Sequence, residues 1–435
     1  MRRIFVWLHR YVGLALAGFL IVEGLTGSII AFKADLTGFL DPRLVATRPA
    51  PDARRLSLAE AALRAEELEP TEHVDYFVNY GDDRITMRMG GRRNPATGER
   101  YPDVPFFVSL NPWTGERLAA VEPEGLWARF LAAVIPFVYE LHVNLLAGPV
   151  GQLILFAVAL LWTIDCFVGF YLTLPITLQR FWPRWTPAWL VKWRGGFYRV
   201  NFDLHRAGGL WFWAALFVFA WSSVQLTNPI VYDWVMTKLS DSQGVMEATM
   251  RVYRFPTSEE DIARMKARRN LDEPFGLGWR EAQATGERLM AAEAAREGFK
   301  ILRPAMLNRV GLSRLYSYDV VIDRPFPQRR SWQVFFDADT GALHAAGDPI
   351  RLFGLERWGD TFSDWIRQLH LIQDPIDYFS YRIFVAIAGV VVAMLSITGI
   401  YVWWKKRRAR AFSRAQSVGR ASPRDGASVR AGVRA

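Results

Sequence analysis

A single cysteine, Cys166, among 435 residues removes several chemistries at the outset. It excludes a disulfide framework, a C-x-x-C redox pair and a four-cysteine zinc site. No C-x-x-C-H occurs, so thioether attachment of a haem is excluded too. No G-x-G-x-x-G follows a strand-like run, and there is no P-loop. The G-x-S-x-G, H-E-x-x-H and protein-kinase signatures are missing as well. The chain therefore brings no nicotinamide- or ATP-binding domain of its own. Charge is sparse: 22% of residues are charged against 51% hydrophobic, and mean hydropathy is slightly positive. That balance excludes a disordered chain and argues against a wholly soluble one.

Aromatic residues are plentiful, with 18 Trp and 29 Phe, as membrane-interface belts require. Four stretches are apolar over the roughly 20 residues needed to cross a bilayer: 4–32, 151–174, 205–227 and 380–404. The first is too long for the apolar region of a signal peptide, and no A-x-A-like site follows it, so it reads as a retained helix. Basic residues set the orientation. Arg2, Arg3 and Arg10 mark the start, and Arg180, Arg184, Lys192, Arg194, Arg199 and Arg206 mark the middle loop against Asp203 alone. The tail 405–435 carries ten Lys and Arg against Asp425. The rest of the chain is net acidic. By the positive-inside rule both termini and the loop 175–204 are cytoplasmic. A nucleic-acid-binding tail is the weaker reading, because Lys405-Lys406-Arg407-Arg408 directly follows an apolar run, as a stop-transfer anchor does. Membrane lipid is the expected partner, and nucleic acid is not. The segments 33–125 and 228–358, with lead-in helices 126–147 and 359–374, then face outward. In a Gram-negative bacterium that side is the periplasm.

The chain reads as one unit written twice. Leu8-His9-Arg10-Tyr11-Val12-Gly13-Leu14 matches Leu204-His205-Arg206-Ala207-Gly208-Gly209-Leu210, and each opens a span. Glu140-Leu141-His142 before Gly148-Pro149 matches Gln368-Leu369-His370 before Asp374-Pro375. Phe167-Val168-Gly169-Phe170-Tyr171 is similar to Ile397-Thr398-Gly399-Ile400-Tyr401 near the ends of the second and fourth spans. The outward segments also correspond. Residues 57–68 and 279–296 have helical spacing, strand-like runs follow at 73–80, 84–89 and 315–322, and each segment closes on an alternating strand with a D/N-x-x-T-G turn. The fold class is a four-span α-helical membrane protein carrying two small α+β domains.

A helix-strand-strand unit closing on D-x-x-T-G, between spans that open L-H-R-x-x-G-L, resembles the PepSY-associated transmembrane proteins over about residues 1–408. That family includes PiuB-like iron-regulated membrane proteins and FoxB-type siderophore reductases. The resemblance implies a bacterial inner-membrane protein tied to iron acquisition. For the FoxB-type members it implies two b-type haems and reduction of ferric siderophores on the periplasmic side.

Four of the six histidines fall at duplicated positions near membrane boundaries. His9 and His205 begin the first and third spans at the cytoplasmic face, and His142 and His370 precede the second and fourth at the outer face. Two histidines per side, from two helices, is what bis-imidazole ligation of haem iron needs. Gly13 and Gly209 each lie one turn after their histidine, where a side chain would collide with a flat macrocycle. Arg10 and Arg206 follow each histidine and suit haem propionates at the water boundary. The competing reading is four interfacial histidines with satisfied hydrogen bonds. Gly27, Gly169 and Gly399 make room for the macrocycle or for close helix packing. His73 and His344, beside strand-like sequence, read as surface residues.

Asp165 and Glu23 are ionisable groups inside apolar spans, suited either to proton uptake or to hydrogen bonding that holds helices together. Cys166 reads as a packed small residue. Trp182, Trp185, Trp189 and Trp193, interleaved with Arg184, Lys192 and Arg194, suit an interface rich in anionic lipid, or a docking face for a donor. The leading expectation is a haem-dependent transmembrane reductase with two haem b groups. Electrons come from a cytoplasmic flavin, flavoprotein or quinol and go to a periplasmic ferric chelate. The alternatives are a non-enzymatic PepSY protein that binds or regulates a periplasmic partner, and an iron-uptake transporter component.

Overall fold

The computed structural model describes residues 1–92, 106–119, 123–244, 275–310, 314–325, 328–348, 352, 356–372 and 378–420. Asp374-Pro375 and the tail beyond 420 lie outside these residues. The chain divides into two compact units, each considered separately. One comprises Met1–Ser28, Val158–Phe217 and Ala386–Ala435, and the other comprises Ile29–Ala157 and Val218–Val385.

The first unit is helical. Its elements belong to α1 (Arg2–Ile30), α5 (Gly148–Thr173), α7 (Phe197–Trp211), α8 (Trp213–Thr227) and α12 (Phe379–Arg420). Small residues let α1 and α12 touch at the backbone. A Cβ on Gly24 would stand 2.4 Å from the Gly389 carbonyl oxygen, and one on Gly389 would stand 2.3 Å from that of Gly24. One turn on, the Ser28 hydroxyl donates to the Ala386 carbonyl at 2.8 Å. Membrane helices associate in this way because, without a hydrophobic drive between them, packing and hydrogen bonds must hold them. The short α6 (Phe181–Trp185) lies in the middle loop. Asp203, fully buried on α7, accepts from Arg199 Nε and Arg206 Nη2 of the same helix, both at 2.8 Å, and from the Lys192 backbone N–H at 3.3 Å, which ties that loop to α7.

Among the described residues four unbroken helices are long and apolar enough to cross a membrane: α1, α5, the apolar part of α12, and α4 (Leu126–Asn144). Two expectations change here. The segment 205–227 is not one straight span, because α7 and α8 meet at a 69° bend at Phe212 and pass the length test only as a pair. The expected surface helix within 126–147 is itself apolar enough to span. It carries no charge between Arg129 and Glu140, and Leu126, Trp127, Phe130 and Phe137 are all exposed. The chain reverses after α4 through Leu145 and Leu146, both at positive φ.

The second unit contains two antiparallel meanders. The first runs β1 (Glu72–Tyr80), β2 (Ile85–Gly91), β3 (Phe106–Leu110), and the second runs β4 (Ile301–Val310), β5 (Leu315–Ile322), β6 (Ser331–Asp337), β7 (Leu343–Gly347). Each follows a helix, α3 (Leu58–Leu68) or α10 (Trp279–Glu297), while α2 (Lys33–Leu40), α9 (Pro229–Leu239) and α11 (Trp358–Leu371) flank them. A Ser57/Glu60 capping box starts α3 by satisfying two orphan backbone donors. Its alanines Ala59, Ala61, Ala62 and Ala65 form a smooth buried face. Gly286 lets α10 lie directly on Tyr318, where a Cβ would stand 2.6 Å from the tyrosine.

One hydrophobic cluster holds both meanders together. Their edge strands are tied by the Phe77 N–H, which donates to Asn308 Oδ1 at 2.9 Å. Glu66 of α3 joins them further. It accepts from its own domain at Val74 N and Arg92, and from the other domain at Trp279 Nε1 and Arg309.

Asp319 in the middle of β5 is buried opposite Gln333, whose amide donates to it at 3.2 Å. Among the described residues nothing donates to the Oδ1 of Asp319 or the Oε1 of Gln333. Burial pushes the Asp319 carboxyl up to about 7. Below about pH 4 the folded and unfolded chains both hold this proton. Between about pH 4 and 7 only the folded chain does, so stability falls as pH rises through that window. Asp319→Asn supplies a permanent amide donor for Gln333. The variant is expected to gain a few kcal/mol at pH 8 and to lose this part of the pH dependence. Thermal unfolding between pH 4 and 8, followed through the β-sheet signal, checks it.

Candidate functional site

His9 of α1 and His205 of α7 come together although 196 positions separate them in sequence. Their ring centroids are 6.0 Å apart, with the planes inclined at 53°. Both line a cavity of about 410 Å³ within the helical unit. Each ring is held through Nδ1. His205 Nδ1–H donates to the Leu395 carbonyl at 2.9 Å, with the Thr398 hydroxyl at 3.2 Å. A carbonyl only accepts, so this bond fixes the Nδ1–H tautomer and leaves the Nε2 lone pair free. His9 Nδ1–H lies 3.0 Å from both carboxylate oxygens of Asp165 on α5.

The expected glycines divide into two roles. Gly13 and Gly209 line the cavity. A Cβ on Gly209 would meet nothing within 4 Å, and one on Gly13 would meet only Asp165, at 3.9 Å. Gly169 and Gly399, expected to make room for a macrocycle or for close helix packing, lie against the imidazoles. A Cβ on Gly169 would lie 3.4 Å from His9 Cε1, and one on Gly399 would lie 3.1 Å from His205 Cε1.

The basic rim is also partly committed. Arg10, Arg206, Lys406 and Arg2 all border the cavity. Arg206 is bound to Asp203 and to the Pro187 carbonyl, and Arg2 donates to the carbonyls of Leu172 and Leu174. Phe170 and Trp213 form part of the wall, their rings 5.1 Å apart, and Trp213 is anchored by donating to the Cys166 carbonyl at 3.0 Å.

The second histidine pair lies in the other unit. His370 near the end of α11 has Nδ1 2.7 Å from the Ser222 hydroxyl. That hydroxyl already donates to the Val218 carbonyl at 2.6 Å, so the histidine is the donor and its Nε2 is again free. Phe219 packs edge-on against the ring at 5.5 Å. His142 on α4 is close enough for its charge to act on His370, and together with burial it pushes the His370 pKa well below the usual value. His370 is thus neutral, the form that binds metals.

His73 pairs with Asp75 at 2.9 Å, and His344 is exposed on β7, so neither joins a site. The sequence pointed to Asp165 only as a costly intramembrane carboxylate, and Leu395, Thr398 and Ser222 carried no signal as partners of histidine.

Among the described residues no group of three or more His, Cys, Asp or Glu side chains could cage a bare metal ion. A haem needs only two axial ligands from the protein, since its porphyrin supplies the other four. With imidazole–metal bonds of about 2 Å, two axial nitrogens stand about 4 Å apart and their ring centroids about 6 Å. The His9–His205 spacing, the free Nε2 atoms and the adjacent cavity fit that requirement.

Gly399→Val is expected to displace His205 from the Leu395 carbonyl, whereas Gly169→Ala, with its looser contact, is expected to be tolerated. Histidine side-chain NMR of the two variants checks this: the His205 Nδ1–H signal should be lost only in the first.

The family model for the PepSY-associated TM region matches residues 6–270 and 278–426. No curated protein matches the chain.

Proposed function

The chain belongs to the PepSY-associated TM family, and we propose that it is a di-haem b-type membrane reductase within that family. The observation that carries this reading is the pair His9 and His205, 6.0 Å apart beside a cavity, each held by a hydrogen bond at Nδ1. His9 and His205 would hold one haem and His142 and His370 the other. Bound there, haem supplies one-electron exchange between Fe(III) and Fe(II). The protein's own residues do the rest. Leu395, Asp165 and Ser222 orient the imidazoles, as partners of metal-bound histidines do elsewhere. Gly13 and Gly209 leave the cavity wall open, and Arg10 and Lys406 supply positive charge at its border.

The basic residues at both termini and in the middle loop support cytoplasmic placement of those segments. The repeated L-H-R-x-x-G-L and D/N-x-x-T-G motifs support an internal duplication. On that topology, in which α7 and α8 together make one crossing and α4 makes none, the first pair is the inner site and the second the outer. Electrons enter from a reduced flavin, flavoprotein or quinol and leave to a ferric chelate on the periplasmic side of a bacterial inner membrane. Ferric iron chelated by hard oxygen ligands is released more readily once reduced to softer Fe(II).

Purified full-length protein is expected to carry two haems per chain and to show Soret and α bands that shift on dithionite addition. His205→Ala is expected to lose about half of the haem, as is His370→Ala. A colourless preparation overturns the reading and favours a haem-free role in binding a periplasmic partner.

A further inference from the structure

Helix α4 is apolar enough to cross a membrane, yet the fold leaves it no crossing to make. The two β-meanders share one hydrophobic cluster and are joined by the Phe77–Asn308 hydrogen bond, so they stand on the same side of any membrane. The chain between them must therefore cross an even number of times. Among the described residues it offers three candidates there: α4, α5 and the bent pair of α7 and α8. The segment 245–274 is too rich in charge to be a fourth. The basic loop 175–204 joins Arg2, Arg3 and Arg10 on one side only if a single one of α4 and α5 crosses. α5 is the longer and more apolar, whereas α4 begins and ends within the unit that holds the meanders.

A helix that does not cross still has an apolar surface to cover. Of the residues of α4 only Ile135 is buried. Leu126, Phe130, Ala133 and Phe137 recur at helical spacing and make one exposed stripe. Trp127 stacks on Phe130 at its start, with ring centroids 5.4 Å apart. Arg129 and Glu140 lie about three turns apart along one edge of that stripe. Ile135 and His142, about two turns apart, share the opposite face. The C-terminal half of α4 is held at the mouths of two spans. A Cβ on Gly151 of α5 would run into the Asn144 carbonyl. The Lys33 ammonium group, just beyond the end of α1, sits 4.1 Å from the centre of the Tyr139 ring.

We propose that α4 is an interfacial helix. It lies along the leaflet on the side of the meanders, with Leu126, Trp127, Phe130, Ala133 and Phe137 in lipid and Arg129 and Glu140 at the headgroups. Phospholipid is the partner of this face. A helix of this kind sinks its apolar side about 5–10 Å into the boundary between headgroups and acyl chains. That depth matches the level at which α1 and α5 end, and it turns the face bearing Ile135 and His142 toward the protein. The proposal rests on the topology given above and needs no haem.

Spin labelling of the full-length chain in nanodiscs of phosphatidylethanolamine and phosphatidylglycerol tests it. In a Cys166→Ala background, nitroxides are attached singly to Trp127→Cys, Phe130→Cys, Ala133→Cys and Phe137→Cys, and depth is read from the ratio of oxygen to nickel-chelate accessibility. All four should show a similar, shallow depth, with a ratio severalfold above that of Asp82→Cys in the exposed turn between β1 and β2. A depth that runs through the bilayer centre from one end of the helix to the other marks a crossing and overturns the proposal. Nickel accessibility as high as at Asp82→Cys, or dipolar broadening between labels on two chains, marks a surface that meets water or a second copy, and overturns it too. If a large residue does not tolerate cysteine, Ala133→Cys decides alone, because the middle of a crossing helix would sit at the bilayer centre. Haem content of the same preparations tests the reductase reading separately.

Discussion

The hydrogen bond at Nδ1 of a membrane-buried imidazole is the constraint on which the rest turns. In water an imidazole exchanges tautomers and rotates freely. Against the Leu395 carbonyl His205 can do neither, because an acceptor with no proton to give admits only the Nδ1–H form. The same logic holds for His370, whose Ser222 partner has already spent its proton within its own helix. A fixed tautomer directs one lone pair at one point in space. The rings of His9 and His205, 6.0 Å apart and each held at Nδ1, come together on one cavity. Glycines then serve the imidazoles: a Cβ on Gly169 would lie 3.4 Å from His9 Cε1, and one on Gly399 would lie 3.1 Å from His205 Cε1.

Much of this architecture can be read from patterns local in sequence. Apolar length marks α1, α5 and α12, and alternation with D/N-x-x-T-G turns marks β3 and β6. The bend between α7 and α8 is different. Nothing in the apolar run 205–227 breaks its hydropathy, and no proline interrupts it, so periodicity alone reads it as straight. The partners of the histidines are different again. Asp165 stands out as a costly charge in an apolar segment, but its choice of His9, 156 positions away, depends on how α1 and α5 pack. Leu395 contributes only a backbone carbonyl, which every residue has and no sequence can flag.

The sheet-bearing unit shows how two small domains share one core. Neither meander is large enough to bury much apolar surface by itself, and a three-stranded sheet with one helix is marginal in water. Joining the edges of β1 and β4 and merging the cores removes two exposed edges at once. Glu66 accepts from both domains, so the interface is polar at its centre and specific in register. Asp319 is the counterweight, a buried carboxyl one of whose oxygens accepts nothing among the described residues. Its cost is tolerated because the surrounding strands hold it in place.

The residues around the histidine cavity have a consequence for biogenesis. His9 is synthesised well before Asp165 and His205, and Leu395 and Gly399 come later still. The cavity therefore has its full lining only once α12 has been made. A truncation just before α12 leaves His9 with its Asp165 partner but strips His205 of the Leu395 carbonyl, a polar ring without its acceptor and a natural signal for membrane quality control.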